Sequence, residues 1–130
     1  MRAPRLVIAA VGLALALGAH TARAQPLAPL IVGWERHFTL TWEAGQRGGR
    51  PYVEGYLANE AGFPAHRIQL LVEGLAADGR VVGQRVEWFG PGLTPGMRGY
   101  FRVPAPAGAS TYRVSVFAFD WVQTARFDAP

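Results

Sequence analysis

The chain has 130 residues, no cysteine and no lysine, and 13 arginines stand against nine acidic residues. The absence of cysteine excludes disulfide bridges, thiol catalysis, thiolate metal sites and iron–sulfur clusters. Three of the arginines lie in the first 24 residues, so the remainder has a net charge near +1, which does not indicate binding to nucleic acid.

The first 24 residues have the pattern of a secretory signal peptide. Arg2 and Arg5 precede the apolar run LVIAAVGLALALGA, and Ala22-Arg23-Ala24 supplies the small residues of a cleavage site. A run of about 14 residues is too short to cross a bilayer, which takes about 20. We therefore expect cleavage after Ala24, export to the periplasm or beyond, and no stable membrane insertion of the rest.

The remaining residues predict β-strands. After a proline-interrupted leader over residues 25–36, apolar and polar residues alternate in HFTLTW, YVEGYLAN, RIQLLVEG, RVVGQRVEWF, GYFRV and YRVSVFAF. This pattern predicts six strands, and WVQTARF is a candidate for a seventh. The expected inward-facing residues are Phe38, Leu40 and Trp42; Val53 and Leu57; Ile68, Leu70 and Val72; Val82, Val86 and Trp88; Phe101 and Val103; and Tyr112, Val114, Val116 and Ala118.

Turn residues separate these segments. Asp78-Gly79 predicts a hairpin, because both residues can take positive φ, and Pro91-Gly92 and Pro95-Gly96 each fit a type II turn. The stretch GPGLTPGMRGYF, residues 90–101, is therefore interpreted as a corner between two strands. A phosphate-binding loop is disfavoured because the prolines remove amide donors and a strand follows rather than a helix.

Short strands without helical periodicity indicate an all-β fold. We expect an immunoglobulin-like antiparallel β-sandwich of six to seven strands over residues 37–127. Tyr112 begins a late strand after a loop rich in proline and alanine. This position is typical of a tyrosine corner, in which the hydroxyl bonds to the upstream loop. An ordinary half-buried tyrosine is the alternative.

Four stretches carry a resemblance to a known family. VEGYLANEAG, HRIQLLVEGLAADGRVV, GLTPGMRGYFRV and YRVSV, between Val53 and Val116, resemble the bacterial FxLYD-type domain, an immunoglobulin-like sandwich of cell-envelope proteins. Leu75 and Ala76 stand where that family has its Tyr-Asp pair. The resemblance implies an extracytoplasmic binding or spacer module without catalytic residues.

Residues capable of catalysis or metal binding are few. After residue 24, the only histidines are His37 and His66 and the only serines are Ser110 and Ser115, which is too few for a zinc site or an activated nucleophile in these contexts. The remaining candidates are the strand carboxylates Glu54, Glu73 and Glu87. Carboxylates in strand alternation usually face solvent, so we expect no catalytic residue, no metal and no cofactor.

Aromatic and arginine side chains occupy strand positions that should be polar, and such residues are enriched at binding surfaces. The candidate interaction surface comprises Tyr52, Tyr56, Tyr100, Arg102, Arg113, Phe117, Phe119 and Trp121. The alternatives are that both sheet faces are partly covered, or that a bulge at Phe117 shifts the alternation.

These features suggest a non-catalytic module that binds another envelope protein or a second copy of itself, by this surface or by an edge strand in ADGRVVGQRV. A carbohydrate-binding module using Tyr52, Tyr56 and Tyr100 is the alternative. A hydrolase with a carboxylate pair is a third hypothesis.

Overall fold

The structure is a computed structural model that describes residues 25–90 and 92–123. The predicted signal peptide, Pro91 and residues 124–127 of the candidate seventh strand lie outside these ranges. A 3-10 helix, Trp34–Arg36, precedes six strands: β1 Phe38–Arg47, β2 Arg50–Asn59, β3 Ala65–Leu75, β4 Val81–Trp88, β5 Arg98–Pro104 and β6 Thr111–Trp121. The expected six strands are confirmed, and Trp121 is the last residue of β6.

The strands form two antiparallel three-stranded sheets, in the orders β1-β2-β5 and β4-β3-β6. Residues of both sheets, among them Val53, Leu57, Ile68, Leu70 and Val116, are fully buried in one shared core. The expected all-β class is therefore confirmed, with two sheets packed face to face. The chain changes sheet between β2 and β3, between β4 and β5, and between β5 and β6.

The inward faces of four strands are those that the alternation predicts. On β2, β3 and β5 the expected apolar residues are all buried, and on β1 Phe38 is buried while Leu40 and Trp42 pack partly buried against the core. Between Phe38 and Trp42, Val53 and Leu57, Ile68 and Val72, and Phe101 and Val103, the core-facing residues are two apart. Simple period-two patterning is sufficient for them.

The inward face expected for β4 is wrong. Val82 is 42% exposed and Trp88 is 61% exposed. The register places Val86 opposite Leu71 and Trp88 opposite Gln69, on the side of β3 that faces away from the shared core. The apolar stripe of β4 therefore lies on the outer face of its sheet.

A loop from elsewhere in the chain explains this inversion. Gly83 of β4 lies opposite Gly74 of β3. A Cβ at Gly83 would lie 2.9 Å from the Cβ of Pro106, and one at Gly74 would lie 2.9 Å from the Cβ of Ala109. The loop between β5 and β6 thus fills the space inside β4, so that β4 needs no apolar side chain there.

A bulge in β6 changes the expected faces at its C-terminal end. Adjacent residues of β3, Gln69 and Leu70, pair with residues two apart on β6, which leaves Phe117 as the extra residue. Beyond it Phe119 is buried, with 7% of its surface exposed, and Ala118 is only half-buried. The expectation that Ala118 points inward and Phe119 outward is therefore wrong, and the alternative of a bulge at Phe117 is confirmed.

The N-terminal segment, residues 25–33, forms no helix or strand but lies across the outer face of β4-β3-β6. The backbone of Leu27 exchanges two hydrogen bonds of 2.8 Å with the amide of Gln84 on β4. The amide of Leu30 donates to the carbonyl of Phe117 on β6 at 2.8 Å. Leu71 beneath it is fully buried. The leader expected as coil over residues 25–36 therefore covers one sheet and ends in the 3-10 helix.

The Asp78-Gly79 hairpin is present. The carbonyl of Ala76 accepts from the amide of Gly79, whose φ is 89°, and Asp78 has no positive φ. The Asp78 carboxylate instead accepts the amide of Arg80 at 3.0 Å. The expected hairpin is therefore confirmed, and of Asp78 and Gly79 only Gly79 takes positive φ while the aspartate side chain closes the turn.

The stretch 90–101 is a corner, as expected. Pro95-Gly96 forms a type II turn in which the amide of Met97 donates to the carbonyl of Thr94 and Gly96 has a φ of 78°. The turn expected at Pro91-Gly92 includes Pro91, which lies outside the described residues. The hydrogen atom of Gly92 allows close packing, because a Cβ would lie 2.8 Å from the oxygen of Ala65.

The hydroxyl of Tyr112 donates to the carbonyl of Pro106 at 3.1 Å, six residues upstream. This is the hydrogen bond of a tyrosine corner. It ties the start of β6 to the loop that fills the space inside β4.

Candidate binding face

Four of the eight predicted surface residues converge on one sheet face. Tyr52, Tyr56, Tyr100 and Arg102 lie on the outer side of β1-β2-β5, where Tyr56 is opposite Tyr100 and Glu54 is opposite Arg102. Tyr56 is 41% exposed and Tyr100 is 52% exposed. We call this surface the tyrosine face and define it by Tyr52, Glu54, Tyr56, Arg98, Tyr100 and Arg102.

Arginines fix the orientation of two of these rings. The guanidinium carbon of Arg98 lies 4.4 Å from the ring centre of Tyr56, and that of Arg102 lies 4.4 Å from the ring centre of Tyr52. These distances are typical of cation–π contacts. The rings of Tyr56 and Tyr100 meet at 65° with centres 5.6 Å apart, an edge-to-face arrangement. The three rings are therefore held in place but are not coplanar.

Glu54 joins the polar ends of the face. Its carboxylate accepts a hydrogen bond from the hydroxyl of Tyr100 and bonds at 2.9 and 3.1 Å from the guanidinium of Arg102. The Tyr100 hydrogen bond, followed by that of Arg102, holds the pKa of Glu54 below its ordinary value. The same bond to Glu54 raises the pKa of Tyr100, and bonding to Glu54 also raises the pKa of Arg102. At neutral pH the face therefore presents an ionised carboxylate, a neutral phenol and a cation.

A shallow depression of about 410 Å³ lies beside these groups, between β1 and β2, and it is lined by Thr41, Glu43, Glu54, Tyr56 and Tyr100, with Trp42 and Gly55. A Cβ at Gly55 would lie 1.8 Å from the oxygen of Thr41, so only glycine permits the close approach of these two strands.

The other four predicted surface residues lie elsewhere. Arg113 is on the outer face of β4-β3-β6, where its guanidinium donates to Glu73 at 2.9 and 3.1 Å. Those hydrogen bonds raise the pKa of Arg113. Phe117 is the half-buried bulge residue, Phe119 is in the core, and Trp121 packs partly buried against it. The ring of Trp121 is 4.9 Å from that of Phe119 and 5.2 Å from that of His37. The single eight-residue surface is therefore not formed.

Each of the three candidate carboxylates forms an ion pair with a different arginine. Glu54 pairs with Arg102 on the tyrosine face, and Glu73 pairs with Arg113 under the N-terminal segment. Glu87 pairs with Arg85 at 2.8 Å on β4. The three carboxylates therefore lie on three different strands, and each is paired with an arginine.

The histidines and serines do not form a site with them. His37 lies against aromatic rings, and within residues 25–90 and 92–123 no group of three side chains suited to a metal is present. Ser115 is on the outer strand face, as expected, but the N-terminal segment leaves only 7% of it exposed. Ser115, Glu73 and Arg113 line a pocket of about 330 Å³ together with Leu27, Ala28 and Pro29 of that segment. Its hydroxyl has no hydrogen-bond partner among the described residues.

Two residues of the tyrosine face were missed as partners of the aromatics. Arg98 shares a strand face with Tyr100 and Arg102, so its period-two spacing was the available signal. Glu54 was considered only as a catalytic carboxylate. Its role as the acceptor for Tyr100 and Arg102 depends on the β2–β5 pairing, which joins residues 46 and 48 positions apart.

Within the part of the chain that the structure describes, no helix is long and apolar enough to cross a membrane. Comparison of the chain with models of protein families, with curated proteins and with solved structures gives no match.

Proposed function

We propose that this chain is a non-catalytic, exported, immunoglobulin-like module that binds another protein of the bacterial envelope through the tyrosine face. The immunoglobulin-like assignment is supported by the two sheet orders, by the three connections that change sheet, and by the hydrogen bond of Tyr112 to Pro106. Export is supported by the signal-peptide pattern of residues 1–24. The resemblance to FxLYD-type domains agrees with both.

The observation that carries this proposal is the exposure of an ordered aromatic and arginine surface. Tyr56 and Tyr100 are exposed although the chain covers the outer face of its other sheet with its own N-terminal segment. Tyrosine and arginine are enriched in protein interfaces, where rigid aromatic rings lose little conformational entropy on binding. Arg98, Arg102 and Glu54 already hold the rings in place, which lowers the cost of binding further.

The ring arrangement favours a protein over a carbohydrate. A sugar platform needs an open ring face, but guanidinium groups lie over the rings of Tyr56 and Tyr52. The angle of 65° between Tyr56 and Tyr100 also prevents both rings from stacking on one flat sugar chain. A protein surface accommodates such angled rings, with backbone groups meeting the polar ends.

The bonding of the candidate carboxylates to arginines supports a non-catalytic role. Glycoside hydrolysis uses two carboxyl groups that flank one bond, at about 5–10 Å from each other. Here Glu54 and Glu73 lie on the outer faces of different sheets, and each is bonded to an arginine. Glu43 lies opposite Glu54, but the Glu54 carboxylate is already bonded to Tyr100 and Arg102. These contacts account for the carboxylates as parts of cross-strand pairs.

The test is site-directed photocrosslinking in the native host. p-Benzoylphenylalanine replaces Tyr56 in one variant and Asp78, at the exposed hairpin of the other sheet, in the control. We expect a discrete crosslinked protein at position 56 and not at position 78, identified by mass spectrometry. Adding Arg98→Ala and Tyr100→Ala should lower the yield several-fold while circular dichroism and the thermal midpoint stay close to wild type.

Some outcomes would contradict the proposal or change the identity of the partner. Absence of a crosslink at position 56, or the same species from both positions, contradicts the proposal. A crosslinked product of twice the chain mass identifies a second copy as the partner. Intrinsic fluorescence that changes on adding envelope glycans, and no longer changes in Tyr56→Ala, would replace the proposal with the carbohydrate-binding alternative.

A further inference from the structure

A second feature lies at the end of the sandwich that carries the β1–β2 turn. A groove of about 800 Å³ runs beside β4 and β5 there. Its lining contains Arg47, Arg50, Arg85 and Arg102, together with Pro51, Pro104 and Pro106. We call it the arginine groove. β4 and β5 are edge strands of their respective sheets, so the groove lies along the open side of the sandwich.

The β1–β2 turn places two like charges directly opposite each other. Arg47 pairs in register with Arg50 across a turn in which Gly48 and Gly49 have φ values of 58° and 76°. Like charges at directly opposite positions destabilise an antiparallel pair. Among the described residues, neither Arg47 nor Arg50 forms an ion pair.

The same two strands carry a contrasting pair. Glu43 is opposite Glu54, but the carboxylate of Glu54 is compensated by Arg102 at 2.9 Å. Arg47 and Arg50 are both exposed, so water screens part of their repulsion and their guanidinium groups are accessible to a ligand. An anionic ligand between Arg47 and Arg50 would supply the compensation that the described chain does not.

The charge of the groove is positive overall. Arg85 is paired with Glu87 and Arg102 with Glu54, while Arg47 and Arg50 add two further cations. The planar guanidinium group binds carboxylate and phosphate oxygens through paired hydrogen bonds. The ligand chemistry is therefore that of an extended anion.

The apolar part of the lining favours an acidic peptide over a chain of phosphates. Pro51 is half-buried and Pro104 is exposed, and both present surface that cannot hydrogen-bond through side chains, whereas Val103, Ala105 and Pro106 form the buried base of the lining. A chain of phosphates gains nothing from such a surface, whereas a peptide places acidic and apolar side chains alternately. The lining therefore complements a segment of both characters.

We propose that the arginine groove binds an acidic peptide segment of a partner protein, with carboxylates at Arg47 and Arg50 and apolar side chains on Pro51 and Pro104. This inference deepens the proposed function and rests on it, because Tyr52 and Arg102 belong to both the groove and the tyrosine face. One partner contacts both surfaces: its folded part lies on the tyrosine face and its acidic segment in the groove.

The test uses the purified protein and a fluorescein-labelled octapeptide with four aspartates separated by alanine, valine and proline. Fluorescence anisotropy measures its affinity, which should fall as salt is raised. Arg47→Gln with Arg50→Gln should weaken binding about tenfold. The matched control, Arg36→Gln with Arg80→Gln, removes the same charge outside the groove lining and should change the affinity less than about twofold.

Two further probes test the ligand class. An octapeptide with asparagine in place of aspartate should not bind, and one with glycine in place of the apolar residues should bind more weakly. Polyphosphate that displaces the first octapeptide with higher affinity would make the groove a general polyanion site and overturn the proposal. Absence of octapeptide binding, or equal losses in the groove and control variants, would also overturn it.

The failures of the two proposals can be told apart. If position 56 crosslinks a partner but the octapeptide does not bind, the proposed function stands and the groove inference fails. If position 56 gives no crosslink but octapeptide binding depends on Arg47 and Arg50, the tyrosine face fails and the groove is a separate peptide site. Circular dichroism of each variant verifies that the fold is retained.

Discussion

The two outer faces of the sandwich carry the same cross-strand pair in different surroundings. On β1-β2-β5, Glu54 of the middle strand is opposite Arg102, and on β4-β3-β6, Glu73 of the middle strand is opposite Arg113. The nitrogen–oxygen distance is 2.9 Å in both pairs. The glutamate side chain is 21% exposed in the first pair and 6% exposed in the second.

The difference comes from one segment of chain. Residues 25–33 lie over Glu73 and Leu71, and Gln84 links that segment to Glu73 by hydrogen bonds of 2.8 and 3.0 Å. In the described structure no segment covers Glu54, Tyr56 or Tyr100 in the same way. The outer face of β4-β3-β6 therefore contributes to stability, because the N-terminal segment covers it. The outer face of β1-β2-β5 is accessible to a partner.

The largest expected difference is in the free energy of unfolding lost by truncating an apolar residue of the covered face and an aromatic residue of the uncovered face. Leu71→Ala should lower the free energy of unfolding by about 2–4 kcal/mol, because Leu71 is fully buried beneath the N-terminal segment. Tyr56→Ala should cost less than about 1 kcal/mol, because its ring is already 41% exposed. Urea unfolding followed by tryptophan fluorescence measures both.

Equal losses in these two variants would remove the distinction between the faces. A loss below about 1 kcal/mol for Leu71→Ala would show that the N-terminal segment does not cover the sheet in solution.

The two glutamates give a smaller contrast. Glu73→Gln should cost roughly 1.5 kcal/mol, because it removes charge-assisted hydrogen bonds from a buried carboxylate. Glu54→Gln should cost less, because solvent replaces the lost charge on the tyrosine face. Thermal unfolding at neutral pH compares the two, and a larger loss for Glu54→Gln would reverse the assignment of the stabilising and the accessible face.

The smallest effect concerns the titration of Glu54. Its folded pKa lies below the ordinary value of 4.5, mainly through the hydrogen bond from Tyr100. The native state therefore binds fewer protons than the unfolded state, so this stabilisation is complete above the ordinary pKa and is lost as the pH falls through the folded one. Tyr100→Phe should move the pKa upward and make the acid limb of the stability curve shallower.

Carboxyl carbon NMR across an acid titration measures that pKa directly. Arg113→Gln serves as the matched control and should leave the pKa of Glu54 unchanged, because Arg113 is bonded to Glu73 on the other sheet. A Glu54 titration that is the same in Tyr100→Phe and wild type would contradict the hydrogen bond between Tyr100 and Glu54.

The sequence predicts the fold and part of the site where neighbours along the strand decide the outcome. The alternation of Val53 with Glu54, and of Phe101 with Arg102, correctly separates core from surface. The same alternation places Tyr52, Tyr56, Tyr100 and Arg102 on one side of two strands, and pairing of β2 with β5 then brings them together. For such strands the side-chain period of two is sufficient.

Prediction fails where residues distant along the chain occupy the space. Pro106 takes the place of a β4 side chain inside Gly83, so the apolar stripe of Val82 and Trp88 lies outside. A single extra residue at Phe117 reverses the faces beyond it and buries Phe119. A loop packed from elsewhere does not change the local alternation of residue types, and from the sequence the bulge at Phe117 was one alternative among several.

By itself, the sequence determined the class of the fold, because the hydrophobic period and the turn residues are properties of short stretches. Only the tertiary structure decided which outer face is bare, because the cover over Leu71 comes from residues about 40 positions away. It also decided that Arg47 meets Arg50 beside Arg85 and Arg102. Strand pairing sets charge proximity, and that pairing is fixed by the packed core rather than by any one segment.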